Sequence, residues 1–445
     1  MIDQTLIQNG NIINVETGDI YTASLLIEDG YIRTIYQNEE EFPLHNDIRV
    51  VNASGKWIIP GLIDMHVHIR DAFAPCFIAS GVTAVRDMAG SLIMSKQLLE
   101  APVEAPTPRL FAAERMIDGL PGMWGDTSPF NLNTDDPEVA REEVRRQIEA
   151  GAKYVKLYCL VSQEVMEAVV DEAKKYGIEV SCDLIHATEV NALDAAKAGV
   201  VWNEHASGCI RVMYPNWSMA EEESVWQEID WENPDKEKIE MLCRELKKYN
   251  VKLCPTMMLH DQMRYLPEYW CPDNVVMEKI KGNKDLMGQW EQLAGCIEAF
   301  KKSGIQTKMI QTIAKTYFDI GGTVVTGTDT PAGPWVWPGM GLHRELELFV
   351  DAGFSELDAL RAATITAADA MNQHELGRIQ EGCAADLVLL NNNPLENIED
   401  TKDIHVVMKG GAVYTQNEAL LHIPSKEELE RLKKEFMELL EAEIC

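Results

Sequence analysis

The chain has 445 residues, and its 46% hydrophobic and 25% charged content lies near globular averages, which excludes a disordered or fibrous polymer. A formal charge of −32 repels phosphate backbones and acidic lipid surfaces, so neither nucleic acid nor membrane is expected as a partner, and solubility accounts for most of the charge. Ten cysteines without C-x-x-C spacing point to reduced, buried thiols. With no signal-like start and no run near the ~18 apolar residues of a membrane span, a cytoplasmic location is expected.

Residues 1–59 read as short strands broken by turn pairs, as in TLIQNGNIINVETGD and SLLIEDGYIRTI. From Gly61 the pattern changes to apolar runs of strand length separated by helical stretches, the pattern of βα units around a parallel sheet. Eight such runs, LIDMHVHI, VTAVRDM, PRLFAAE, KYVKLYC, IEVSCDL, VVWNEH, VKLCPTM and TVVTGTD, fit a closed α/β (β/α)8 TIM barrel over residues 60–377, with an insertion around 207–300. Strand-like pieces return over 378–422 and are expected to join residues 1–59 in one discontinuous β-sandwich. The stretch SKEELERLKKEFMELLEAEI, within 423–445, reads as a capped amphipathic helix that packs on the surface or on a partner, and a homo-oligomer is expected.

Chemistry enters in GLIDMHVH. Side chains two apart on a strand share a face, so His66 and His68 point together into the barrel at the strand end where barrel enzymes build their sites. Two neutral imidazoles there suit a metal ion. Lys156, in YVKLYC, is a lysine directed inward among apolar neighbours, costly if charged and unpaired, and neutralisation or chemical modification removes that cost. His186, His205 and Asp329 each follow a strand-like run and complete a set of six polar residues at strand ends.

The segments WIIPGLIDMHVH, GVTAVRDMAG, GAKYVKLYCLVSQEVMEAVVDEAKKYGIEV, AAKAGVVWNEH, TGTDTPAG and LGRIQEGCAADLVLLNNNPLENI together resemble the amidohydrolase superfamily, in particular its prolidase-like and imidazolonepropionase-like dipeptidase branch. The resemblance implies two divalent metal ions, usually zinc. His66, His68 and Asp329 would hold one, His186 and His205 the other, with Lys156 as the bridge after carbon dioxide converts it to a carbamate. Two departures stand out. Measured forward from GIEV, the fifth-strand ligand position falls on Asp183, but a small insertion after that strand restores His186, the expected ligand, with Asp183 as its rival, and GLPGMWGD replaces the Gly-Gly-His-Gly pattern of many relatives.

The implied activity is hydrolysis of a peptide-like or N-acyl amino acid amide. Asp329 is suited to shuttle the proton, and Tyr158, two residues from Lys156, to stabilise the oxyanion. Arg86, Asp87, His343 and Glu345 read as supporting residues. Arg115, Arg211 and His260 are the expected holders of a substrate carboxylate, and Trp335 the expected apolar contact. Competing readings are hydrolysis of a cyclic amide, lactone or ester, a deamination at the same metals, and an inactive barrel that serves as a binding protein.

Overall fold

The computed structural model describes residues 4–37 and 48–444. Each of the eight apolar runs forms a strand: Leu62–Val67 (β1), Val82–Asp87 (β2), Arg109–Ala112 (β3), Tyr154–Leu157 (β4), Glu179–Cys182 (β5), Trp202–Glu204 (β6), Lys252–Cys254 (β7) and Thr323–Val324 (β8). Neighbouring strands pair in parallel. β1 and β2 are buried along their whole length, as expected of strands covered on both faces.

The ladder is not one closed ring. β1, β2 and β3 form a three-stranded sheet, and β4 to β8 belong to a seven-stranded one. The short strand Met116–Asp118 takes Leu157 of β4 as its partner, which displaces β3 from that end of β4. Single bridges join the two sheets, Ala113 to Tyr154 on one side and Val67 to Thr330 on the other. The second junction is reinforced where Met65 N–H donates to the Thr326 carbonyl at 3.0 Å and Asp329 N–H to that of His66 at 2.7 Å.

The two chain ends do come together, but the pairing defines one eight-stranded sheet rather than a demonstrated sandwich. Trp57–Pro60 runs antiparallel to Leu387–Leu390, and Ile7, Ile12, Leu25, Ile58, Leu387 and Leu389 pack in its core. Arg109 of β3 ties this sheet to the larger body through Asp386, with Nε donating at 2.6 Å.

The long stretch expected as one insertion divides around β7. Before β7, Trp217, Trp226 and Trp231 pack on each other; after it, Trp290, Trp335 and Trp337 gather with Tyr269. The terminal helix Lys426–Ile444 begins at a reciprocal cap between Ser425 and Glu428 and lays Phe436 beside Phe130, ring centroids 6.3 Å apart. Among the described residues, no helix is long and apolar enough to cross a membrane.

His343, on the helix Gly341–Asp351, is fully buried with Nε2 3.0 Å from the Ser80 carbonyl and Nδ1 2.9 Å from Thr401 Oγ1. Burial, aided by the charge of Lys402, holds its pKa down to about 3. Below pH 6.5 the unfolded chain therefore binds a proton that the folded chain refuses, and stability falls with pH. This residue is expected to make the protein about 2 kcal/mol less stable at pH 5 than at pH 7. Denaturant midpoints of the wild type and His343→Gln at the two pH values check this, the variant showing the shallower dependence.

Candidate metal centre

The strand ends bring His66, His68, Lys156, His205 and Asp329 into one cluster. Asp329 Oδ1 lies 3.3 Å from His66 Nε2 and 3.0 Å from His68 Nε2. Lys156 Nζ lies 3.5 Å from His66 Nε2 and 3.9 Å from Asp183 Oδ2, and His205 Nε2 lies 3.3 Å from the same Asp183 oxygen. Ligand atoms of His66, His205 and Asp329 all fall within 4.8 Å of one another.

The outer hydrogen bonds set which ring nitrogen faces inward. His66 Nδ1–H donates to Glu204 Oε2 at 2.8 Å, and His68 Nδ1–H to the Ala89 carbonyl at 2.9 Å. Both partners only accept, so both Nε2 atoms carry lone pairs toward the Asp329 oxygen. Two lone pairs crowding a carboxylate are relieved by a cation between them, and the donor set therefore fits a metal ion. His205 Nδ1 is likewise occupied, 2.6 Å from Thr256 Oγ1.

Electrostatics support a neutral His66 and ionised carboxylates, while Asp183, against burial, raises the pKa of His205. Burial, then the charges of Lys156 and His205, hold His66 well below the usual histidine range. Burial opposes ionisation of Asp329, yet the neighbouring His68 and the charge of His205 keep its carboxyl well below the usual range. Asp183 is held low in the same way, against burial, chiefly by His205 and also by Lys156.

The backbone is strained where it delivers two of these side chains. His205 and Asp329 both sit at φ 62°, a left-handed conformation that costs a residue with a side chain about 1–3 kcal/mol. Asp64, on β1, fixes the second turn by accepting from Thr328 N–H at 3.0 Å and Thr328 Oγ1–H at 2.7 Å. Glu345 accepts from the N–H groups of Met257 and Met258, at 3.1 and 2.6 Å, anchoring the helix that starts beside Thr256.

Glu204 and Asp64 escaped the sequence reading, although each is an acidic residue inside an apolar strand next to a candidate ligand. Glu204 is fully buried and accepts from Arg86 Nη2 and Ser181 Oγ, both at 2.6 Å, besides His66. Arg86 also donates Nε to the Met65 carbonyl at 2.7 Å, and Asp87 accepts from the N–H groups of Ile69 and Ala89, shaping the turn that presents the Ala89 carbonyl to His68. Replacing Glu204 by Gln keeps the shape but weakens the acceptor on His66, and is expected to lower metal affinity about 10- to 100-fold. Metal retained after dialysis against graded chelator concentrations measures it.

A cavity of about 620 Å³ opens over the cluster. His68, Lys156, Tyr158, Asp183, His186 and Asp329 line it, with Trp124, Phe130, Met219, Met263 and Phe300 as apolar wall and Arg70 and Lys302 as cations. Tyr158 interacts with the Trp124 side chain, and burial raises its pKa well above the usual value, so its hydroxyl keeps a proton to donate. Arg70 was another residue missed; its Nη1 donates to the Ile69 carbonyl at 2.7 Å.

The remaining expected residues are placed otherwise. His186 is half-buried on the cavity wall, three residues beyond Asp183, and it is Asp183 that reaches His205 and Lys156. Arg115 commits Nε and Nη2 to Glu143 at 2.8 and 2.6 Å, and Arg211 donates Nη1 to the carbonyls of Ala187 and Val190, so both arginines serve neighbouring protein groups. His260 has Nδ1 3.3 Å from the Ser303 carbonyl, which places its proton there and leaves buried Nε2 as an unpartnered acceptor. Burial lowers its pKa to about 4, so it is neutral near pH 7 and offers no charge to a carboxylate. Trp335 stacks on Tyr269 with ring centroids 4.7 Å apart, inside the aromatic cluster and away from the cavity lining.

The amidohydrolase family model matches residues 57–413, and the chain belongs to that family. It is similar to ochratoxinase of Aspergillus niger, 26% identical over 330 residues that span 69% of this chain and 55% of that protein. A shorter match, 46% over 66 residues, links it to a dihydroorotase of Carboxydothermus hydrogenoformans and covers 15% of this chain and 14% of that one. Both matches cover less than two thirds of the relative. The fold is similar to that of a Xaa-Pro dipeptidase crystallised with methionine in its active site, at TM-score 0.67 and 21% identity, covering 93% of this chain and all of that one.

Proposed function

We propose that this chain is a metal-dependent hydrolase that cleaves the amide bond of an N-acyl amino acid or a dipeptide with an apolar side chain. Lys156 carries the reading. Its side chain is 2% exposed, yet its nearest polar partners are a histidine nitrogen at 3.5 Å and an aspartate oxygen at 3.9 Å, a poor environment for a buried cation. A carbamate on Lys156 turns that cation into an anionic ligand facing His66 and Asp183, which supports a two-ion centre, with zinc the proposed metal.

His66, His68 and Asp329 would hold one ion, and His205 with the fifth-strand ligand the other, Lys156 serving both. Such ions, when bound, lower the pKa of water toward ~7 and polarise a carbonyl under attack. Asp329, between two imidazoles and ionised, accepts the proton released by the nucleophile and passes it to the leaving nitrogen. The Tyr158 hydroxyl, held in its protonated form, donates to the developing oxyanion. A (β/α)8 barrel carrying these groups at its strand ends is the proposed frame, a reading supported by the eight parallel strands in sequence and the two bridges between their sheets.

The ochratoxinase and Xaa-Pro dipeptidase names support an amide substrate, and the cationic, apolar cavity suits one with a carboxylate. The dihydroorotase match favours a second reading, a cyclic amide. Purified protein assayed against N-acyl amino acids, Xaa-Pro and Xaa-Arg dipeptides, cyclic amides and lactones is expected to turn over the first two groups. Turnover confined to cyclic amides or lactones defeats the first reading.

A further inference from the structure

The proposed two-ion centre is chemically lopsided. On the first side stand His66 Nε2, His68 Nε2 and the Asp329 carboxylate, two nitrogens to one oxygen. On the second, His205 Nε2 is the imidazole in reach, and the side chain beside it and beside Lys156 is a carboxylate, Asp183, at 3.3 and 3.9 Å. Asp183 is fixed in this place: it directly follows β5, is 4% exposed, has a backbone N–H donating to the Leu157 carbonyl at 3.1 Å, and accepts from Ile185 N–H through Oδ1 at 3.1 Å. Oδ2 remains directed at His205 and Lys156. His186 lies further along the turn on the cavity wall.

We infer that Asp183 is a metal ligand and makes the second position a harder, oxygen-rich site that takes manganese-like divalent ions more readily than the first. The inference rests on the proposed metal-dependent function. Imidazole favours zinc and its neighbours, whereas carboxylate oxygen favours manganese and magnesium. With a carbamate on Lys156 serving both, the first position would offer two nitrogens and two oxygens, and the second position one nitrogen and two oxygens. Its contrast with the first position lies in ligand identity and needs no difference in coordination geometry.

Metal-free full-length protein, prepared with a chelator and supplied with bicarbonate, is titrated with Zn²⁺ and separately with Mn²⁺, following bound zinc by elemental analysis and free manganese by its paramagnetic resonance signal. The expected wild-type result is two zinc affinities at least about tenfold apart, with Mn²⁺ competing at the weaker site. Asp183→His is expected to tighten the weaker zinc site about tenfold and to weaken manganese uptake, whereas His186→Ala changes neither. Asp183→Asn, which conserves size, is expected to weaken the second site for both ions and covers the case in which the histidine variant fails to fold. Two equal zinc sites insensitive to Asp183, or loss of the second ion in His186→Ala, overturn the inference while leaving the metal-dependent function standing. Folded wild type that takes up no divalent ion overturns the function itself.

Discussion

Asp329→Asn is expected to lower kcat about 10³-fold while the protein stays folded. Asparagine tolerates the left-handed conformation that Asp329 adopts, and it retains an oxygen for the positions of His66 and His68, so the turn survives. What it loses is basicity. An amide accepts no proton at neutral pH, and the proposed shuttle from nucleophile to leaving nitrogen would be interrupted. Steady-state kinetics with metal analysis of the same preparation check this. A kcat within tenfold of wild type, at equal metal content, removes Asp329 from proton transfer.

The second large effect is at Lys156. Lys156→Ala is expected to cost at least about 10³-fold in kcat and to reduce the metal bound per chain, because the group proposed to serve both ions is gone. In metal-free, bicarbonate-free protein, stability is expected to hold or rise, since the substitution then removes a buried ammonium whose polar neighbours sit at 3.5 and 3.9 Å. In the wild type, recovery of activity by metal-free protein is expected to require bicarbonate. Full recovery in bicarbonate-free buffer rejects the carbamate, and a variant that remains active and fully metallated rejects the bridging role.

The strands were readable because their signal is local. Runs such as LIDMHV and VTAVRD are apolar and β-branched, and the two-residue alternation that places His66 and His68 on one face holds wherever such a strand forms. The break in the ladder was not readable, since nothing within Met116–Asp118 announces that it captures the end of β4. The choice between Asp183 and His186 turned on how the chain leaves β5, a matter of a few loop torsions. Arg115 and Arg211 show a different limit: a sequence displays a cation but not whether a glutamate or a pair of carbonyls already occupies it. Glu204 was legible in principle, as an acid beside His205 inside an apolar strand, and was passed over because it is not itself a ligand at the centre of the cluster.

The inward-facing imidazoles have a consequence for supply. His66 and His68 are held with Nε2 toward the cluster by Glu204 and the Ala89 carbonyl, and Glu204 is held in turn by Arg86 and Ser181. None of these bonds needs an ion. The fold is therefore unlike those small domains that collapse when their metal is withdrawn. Such a protein is expected to be emptied and refilled without unfolding, so that, on the proposed function, the share of working molecules would follow the ions and carbon dioxide around it rather than the history of its folding.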